Sequence, residues 1–315
     1  MNIRKLLGIA PVAAVESVPG SATIQTQALV HTEAPAVYMP FPPGHFYSPV
    51  VDPATLAGKE AGFWDGEPQC LGIDFNDESQ KLHLEAIRQH SHACVYPDAV
   101  DTSAETPRFS HNNDQFGWLD SRALFGILNH YQPKNVIEVG GGYSSLLIGD
   151  VNARMLGSSI NFISIEPYPR DFLDRGFSGL TRLIKQKVEE VPHEVFDILG
   201  DGDILFIDSS HVAKTGSDVN YLFFEILPRL RKGVIIHVHD IYLPDEYPRE
   251  WVIDENRSWN EQYVLRALLM YSTTFKVIFG SWYAFRKFPE LVSAALNLPD
   301  GSAFGGGSIW LRKVE

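Results

Sequence analysis

Asn135-Val136-Ile137-Glu138-Val139-Gly140-Gly141-Gly142 is the stretch that decides how this 315-residue chain is read. Its apolar alternation predicts a short strand over residues 135–139, and the glycines end that strand before a helix that begins near Ser144. Open parallel sheets take ligands at the carboxyl ends of their strands. There a glycine turn lets the backbone approach the ligand and offer it amides. Outward from this turn the pattern repeats. Further strands are predicted over residues 161–165, 181–185, 203–207 and 233–238, with helices over 144–156, 170–177, 189–199 and 217–231 and a leading helix over 118–131. Ile204-Leu205-Phe206-Ile207 and Val234-Ile235-Ile236 are apolar on both faces, as strands covered by helices on both sides must be.

The end of the chain breaks the alternation. Ser258-Trp259-Asn260-Glu261 reads as a capping box opening a helix to about Tyr271, and two strands follow over residues 275–285 and 308–313. No clear crossover helix separates them, and the glycine-rich residues 301–307 suggest a turn into an antiparallel last strand. The fold class is therefore α/β. It is a doubly wound, mostly parallel, seven-stranded Rossmann-like sheet with an antiparallel last strand, behind an irregular N-terminal extension.

That extension occupies residues 1–110, ahead of a main domain over 111–315. It is dense in proline and aromatics, as in Met39-Pro40-Phe41-Pro42-Pro43-Gly44-His45-Phe46-Tyr47-Ser48-Pro49, with one helix near residues 79–90. An ordered wrap or lid is expected, with His45, Tyr47 and Asn113 over the cleft.

With 44% hydrophobic and 12% aromatic residues the chain can bury a large core. Acidic residues outnumber basic ones 39 to 26, for a formal charge of −13, and no basic patch offsets them, so nucleic acid is not an expected partner. Cys70 and Cys94 have neither metal-type spacing nor the density of a disulfide framework, which fits a reducing cytoplasm. Arg4-Lys5 and the apolar residues after them resemble a secretory signal, but the run is short and contains Pro11. Residues 1–20 are read as an apolar terminus, with a cleaved signal as the alternative. No other segment approaches the roughly 18 unbroken apolar residues of a membrane span. A soluble protein is expected, and a homo-oligomer is compatible with everything above.

Two features select among cofactors. A dinucleotide fingerprint wants a third glycine where this chain has Ser145, and the second strand ends in Ile165-Glu166-Pro167, where a carboxylate can take both hydroxyls of a ribose. The turn after Glu138, the acidic strand end at Glu166 and the closing hairpin resemble a class I S-adenosylmethionine-dependent methyltransferase over roughly residues 110–315. The resemblance implies that Glu138, Gly140, Gly141, Gly142 and Ser144 face the amino-acid end of S-adenosylmethionine. It also implies that Glu166 takes the ribose, that Lys187 lies by the adenine, and that Asp208 borders the cofactor.

Chemistry should come from the ends of the fourth and fifth strands, where Asp208-Ser209-Ser210-His211 and His237-Val238-His239-Asp240 stand. The Asp-x-x-His arrangement is similar to that of metal-dependent small-molecule O-methyltransferases and their cephalosporin-hydroxylase-like relatives. That likeness implies Asp208 and Asp240 as metal ligands and His211 as base. His239 departs from the pattern, which usually has a second acid there. It enters as a third ligand and catalytic candidate, and its imidazole suits Fe, Mn, Zn or Ni better than plain Mg, so the metal expected is Mg, Mn or Fe. His237, deeper in its strand, reads as a core histidine. The expected activity is methyl transfer to oxygen or nitrogen of a small-molecule acceptor. The alternatives are a metal-dependent oxygenase or hydroxylase on the same scaffold, an NAD-dependent oxidoreductase, which Ser145 disfavours, and a binding module without catalysis.

Overall fold

The computed structural model describes residues 40–99, 108–113, 115–298 and 300–315. The signal-like segment of residues 1–20 lies outside them. Seven strands form one sheet: β1 (Asn135–Val139), β2 (Asn161–Ile165), β3 (Arg182–Ile184), β4 (Ile204–Ile207), β5 (Ile235–His239), β6 (Phe275–Gly280) and β7 (Ser308–Lys313). Their order is β3-β2-β1-β4-β5-β7-β6, and β7 alone runs antiparallel to its neighbours. Around them lie α1 (Asp77–Ser91), α2 (Trp118–Tyr131), α3 (Tyr143–Arg154), α4 (Asp171–Arg175), α5 (Asp218–Tyr221), α6 (Arg249–Ile253), α7 (Glu261–Leu269), α8 (Ser281–Lys287) and α9 (Pro289–Leu296).

Alternate strand residues feed two cores, one on each face. Ile137, Val139, Leu205, Ile207, Ile236 and Val238 join one, with Val219 and Leu222 of the helix after β4. Val136, Phe162, Ile204, Phe206 and Ile235 join the other, against α2, α3 and α9. Each fully buried Phe, Leu or Ile contributes about 1.5–3 kcal/mol, so a two-sided sheet is what this composition stabilises. Register then fixes the working edge. Val139 lies opposite both Ile165 and Ile207, and Ile207 opposite Val238, so Gly140, Glu166, Asp208 and His239 leave the sheet side by side.

The structure corrects several expectations. The strand predicted over residues 275–285 stops at Gly280 and continues as α8, with α9 after it, so helices do separate β6 from β7. Gly280-Ser281 divides the run, and the apolar residues beyond it serve a helix as readily as a strand. The helix expected over residues 189–199 is two 3-10 turns, Val188–Glu190 and His193–Ile198, because Pro192 interrupts it. The helix of residues 217–231 is irregular. Its middle, Leu222–Ile226, is π-helical, and Pro228 has no N–H to return to the Phe224 carbonyl. Residues from Phe41 onward form one compact unit. α1 packs on α2, α9 and β6.

Candidate functional site

The turn after β1 is shaped by steric need. Gly140 has φ +88°, and a Cβ there would run into the Asp208 carbonyl, so the ends of β1 and β4 approach as only glycine allows. Beneath the turn, Glu138 is fully buried and accepts from the hydroxyls of Ser144, Ser145 and Ser164 at 2.7, 2.5 and 2.9 Å. Burial pushes its carboxyl up to about 7 against the pull of those hydroxyls. Glu166 stands opposite, receiving the amides of Gly141 at 3.2 Å and Tyr168 at 2.8 Å. Beside Glu166 lies a cleft of about 400 Å³, whose wall includes Gly140, Glu166, Lys187, Asp208, Ser210 and Asp218.

Next to the cleft three donors converge. His211 Nε2 lies 3.5 Å from Asp208 Oδ1 and 3.3 Å from Asp240 Oδ2, and its Nδ1 lies 2.9 Å from Glu261 Oε2. One donor atom each from Asp208, His211 and Asp240 fits within 4.8 Å, a set that could hold a metal ion. His211 and Asp240 both have positive φ, +61° and +55°, so these loops are bent to bring the side chains in.

A methyltransferase-domain family matches residues 137–241, from β1 to just past β5. An uncharacterized protein of Archaeoglobus fulgidus is 36% identical over 168 residues, covering 52% of this chain and 76% of that relative. The matched span holds the glycine turn, Glu166, Asp208 and Asp240, in a sheet ordered β3-β2-β1-β4-β5-β7-β6. The chain belongs to the class I S-adenosylmethionine-dependent methyltransferases. Solved structures also resemble it at low identity. An O-methyltransferase from Bacillus cereus in complex with SAH is 17% identical, covers 74% of this chain and 91% of its own, and gives a TM-score of 0.32. A SAM-dependent methyltransferase from Anabaena variabilis is 11% identical over 79% of this chain and 100% of its own, with a TM-score of 0.34. Scores this low carry no part of the assignment.

In this methyltransferase the predicted residues separate into groups. Gly140, Glu166, Lys187 and Asp208 line the cleft. Glu138 and Ser144 do not face it: both are buried and bonded to each other, so they brace the turn from below. Gly141 and Gly142 shape the turn. A Cβ on Gly141 would strike Leu173 and Ser164, whereas one on Gly142 would meet open space. His239 is a neighbour of the donor set and no member of it. Its Nε2 lies 3.8 Å from Asp240 Oδ1, and its Nδ1 is buried without a partner among the described residues. His211, expected as the base, is the histidine that meets both Asp208 and Asp240.

The electrostatics follow the same division. Burial opposes a charged His211, but Asp208, Glu261 and Asp240 outweigh it and raise its pKa well above the usual histidine range. Burial likewise opposes charge on His239, and Asp208, Asp240 and Asp120 raise it. Asp208 is pushed up by burial yet held below the ordinary value by His239 and His211. Asp240 rises through burial despite the same two histidines. His237, buried against Phe206 at 3.9 Å, is lowered far below the usual range by burial and by His239.

His45 and Tyr47 sit in an aromatic cluster with Phe41 and Phe46 and are not part of the cleft wall. The Asn113 side chain closes its own turn, donating to the Ser110 and Phe116 carbonyls. The residue that sequence reasoning missed is Glu261. The Ser258–Glu261 capping box does not form: Ser258 Oγ accepts from the Val51 amide, Asn260 is the N-cap, and Glu261 turns inward to His211. A short local explanation was available for this acid, and it concealed a contact with residue 211. No helix among the described residues is long and apolar enough to cross a membrane.

Proposed function

We propose that this methyltransferase moves the methyl group of S-adenosylmethionine to an oxygen or nitrogen of a small-molecule acceptor, with His211 as base and a divalent cation at Asp208 and Asp240. The observation that carries this reading is the convergence of Asp208, His211 and Asp240 from two loops onto one point, with Asp208 also lining the cofactor cleft.

The residues fit the cofactor. Glu166, its carboxylate oriented by two amides, suits the ribose hydroxyls, and Lys187 borders the far end where the adenine would lie. Gly142, with space where a Cβ would be, leaves the start of α3 open to the amino-acid end. S-Adenosylmethionine bound there supplies a methyl group on a positively charged sulfur. Asp208 places a carboxylate near that charge. Transfer forms the acceptor–methyl bond as the sulfur–methyl bond breaks to leave a thioether, and the acceptor's proton passes to His211 Nε2. In the protein alone three carboxylates hold a proton on His211. Asp208 and Asp240 would hold the cation, which would offset part of their charge and leave His211 Nε2 to the acceptor. Two carboxylates suit Mg and also accept Mn or Fe.

An oxygenase or hydroxylase would draw on the same histidine and carboxylates, and the methyltransferase family places it second. The test is incubation of cell extract with the protein and methyl-labelled S-adenosylmethionine, followed by mass spectrometry before and after chelation. A labelled product that disappears on chelation and returns with Mg, Mn or Fe supports the reading. Calorimetry showing no binding of S-adenosylmethionine would sink it.

A further inference from the structure

His211 occupies the left-handed region, which a residue with a Cβ enters only at a cost, so something must hold it there. What holds it is one short segment, Trp259-Asn260-Glu261. The amides of Asn260 and Glu261 both donate to the His211 carbonyl, at 3.0 and 3.2 Å. The Asn260 side chain bonds both the N–H and the carbonyl of Ala213, at 2.6 and 3.2 Å. The Trp259 ring lies 4.3 Å from the imidazole, and Glu261 Oε2 lies 2.9 Å from Nδ1. Backbone, ring face and ring nitrogen are thus fixed together from a segment 50 residues away.

Glu261 itself is costly. It is fully buried, and its Oε1 has no hydrogen-bond partner among the described residues. Its position in the first turn of α7, where backbone amides point outward, offsets part of that cost. A helix cap does not explain the side chain, because Oε2 bonds the His211 ring and Oε1 has no partner among the described residues.

We propose that Glu261 is the positioning residue for the base of this enzyme, which rests on the reading of His211 given above. A carboxylate only accepts, so Glu261 keeps the proton on Nδ1 and commits Nε2 to face Asp208, Asp240 and the acceptor. When Nε2 takes the acceptor's proton, the same carboxylate stabilises the imidazolium that forms, without taking a proton itself. Trp259 prevents the ring from rotating off that line.

Glu261→Gln and His211→Asn, singly and together, test this with three readouts. The rate of label transfer from methyl-labelled S-adenosylmethionine into extract should fall roughly 10- to 100-fold in Glu261→Gln. Cofactor affinity by calorimetry should stay unchanged, and adding Glu261→Gln to His211→Asn should cost nothing further. In proton NMR, wild type should show a far-downfield Nδ1–H resonance that vanishes in His211→Asn and moves upfield in Glu261→Gln. A full rate in Glu261→Gln, the same cost in both backgrounds, or an unmoved resonance would overturn the proposal. If wild type transfers no label at all, the base reading fails, while the resonance still decides whether Glu261 holds the Nδ1 proton.

Discussion

The two halves of the sheet edge are built differently. On the β1–β2 side the parts are close in sequence, and most bonds are between a side chain and an amide or hydroxyl: Glu166 with Gly141 and Tyr168, Glu138 with Ser144 and Ser145. On the β4–β5 side, ionisable groups from three separate segments crowd one another, and two of them sit at positive φ. The first half is a preformed cradle whose one costly group is the buried Glu138. The second stores strain and unbalanced charge, which a scaffold tolerates where chemistry repays it. If so, damage to the second half should fall on turnover and damage to the first on binding and folding.

The largest effect separates the two halves most sharply. His211→Asn should lower the rate of methyl transfer by about 10²–10⁴-fold, the range for losing a general base, while S-adenosylmethionine still binds with nearly wild-type affinity. Rate assays beside calorimetry check this. A parallel loss of affinity would mean that the cluster belongs to the cofactor cradle and that the division is false.

Gly140 is where the halves touch, so its replacement should damage both. In Gly140→Ala the methyl must displace the Asp208 carbonyl at a φ that alanine resists, costing about 2–4 kcal/mol of stability together with cofactor binding. Chemical denaturation and calorimetry on the same sample measure the two losses. A variant as stable as wild type would show that the strand ends separate freely, and the cradle would then not be preformed.

Glu138 makes the stability of the first half depend on pH. Its carboxyl titrates near 7 in the fold against an ordinary 4.5, so the folded state binds the proton more tightly. The stability from this group is therefore complete below about pH 4.5 and is lost as pH rises to about 7, a change of about 3 kcal/mol. Glu138→Gln keeps the shape and cannot ionise. Its stability relative to wild type should climb between pH 4.5 and 7 and level off above. A difference that stays flat with pH would show that the serine hydroxyls fully compensate the buried charge.

Legibility in the sequence follows the same line between the halves. The strands, the glycine turn and Glu166 could be read because each is announced within about ten residues by period, glycine or an acidic strand end. Asp208, His211 and Asp240 could be named from their places at strand ends. That His211, and not His239, lies between the two carboxylates could not be read, because it depends on how two loops bend at residues 211 and 240. Glu138 was placed in the cleft because its position beside the turn is visible and the direction of its side chain is not. Glu261 was assigned to a cap because a four-residue pattern explained it, while the contact that matters spans 50 residues. Residues 275–285 read as one strand because aromatic and β-branched residues stand on both sides of Gly280-Ser281, the pair at which strand gives way to helix.

The smallest expected effect tests how deep the second half extends. His237 lies one pleat behind His239, fully buried, stacked on Phe206 and 4.5 Å from the Trp310 ring, with neither ring nitrogen partnered among the described residues. Burial keeps it neutral. Two unsatisfied nitrogens cost about as much as the packing of its ring contributes. His237→Phe removes the first and keeps the second, at the expense of slight crowding. Stability should therefore move by less than about 1 kcal/mol, and the rate of methyl transfer should not move at all. Denaturation and the label-transfer assay measure both. The two histidine rings are 5.5 Å apart, so a lost rate with an unchanged fold would mean that His237 acts on the donor set through His239. The catalytic half would then reach one layer into the sheet, past the edge on which the comparison draws its line.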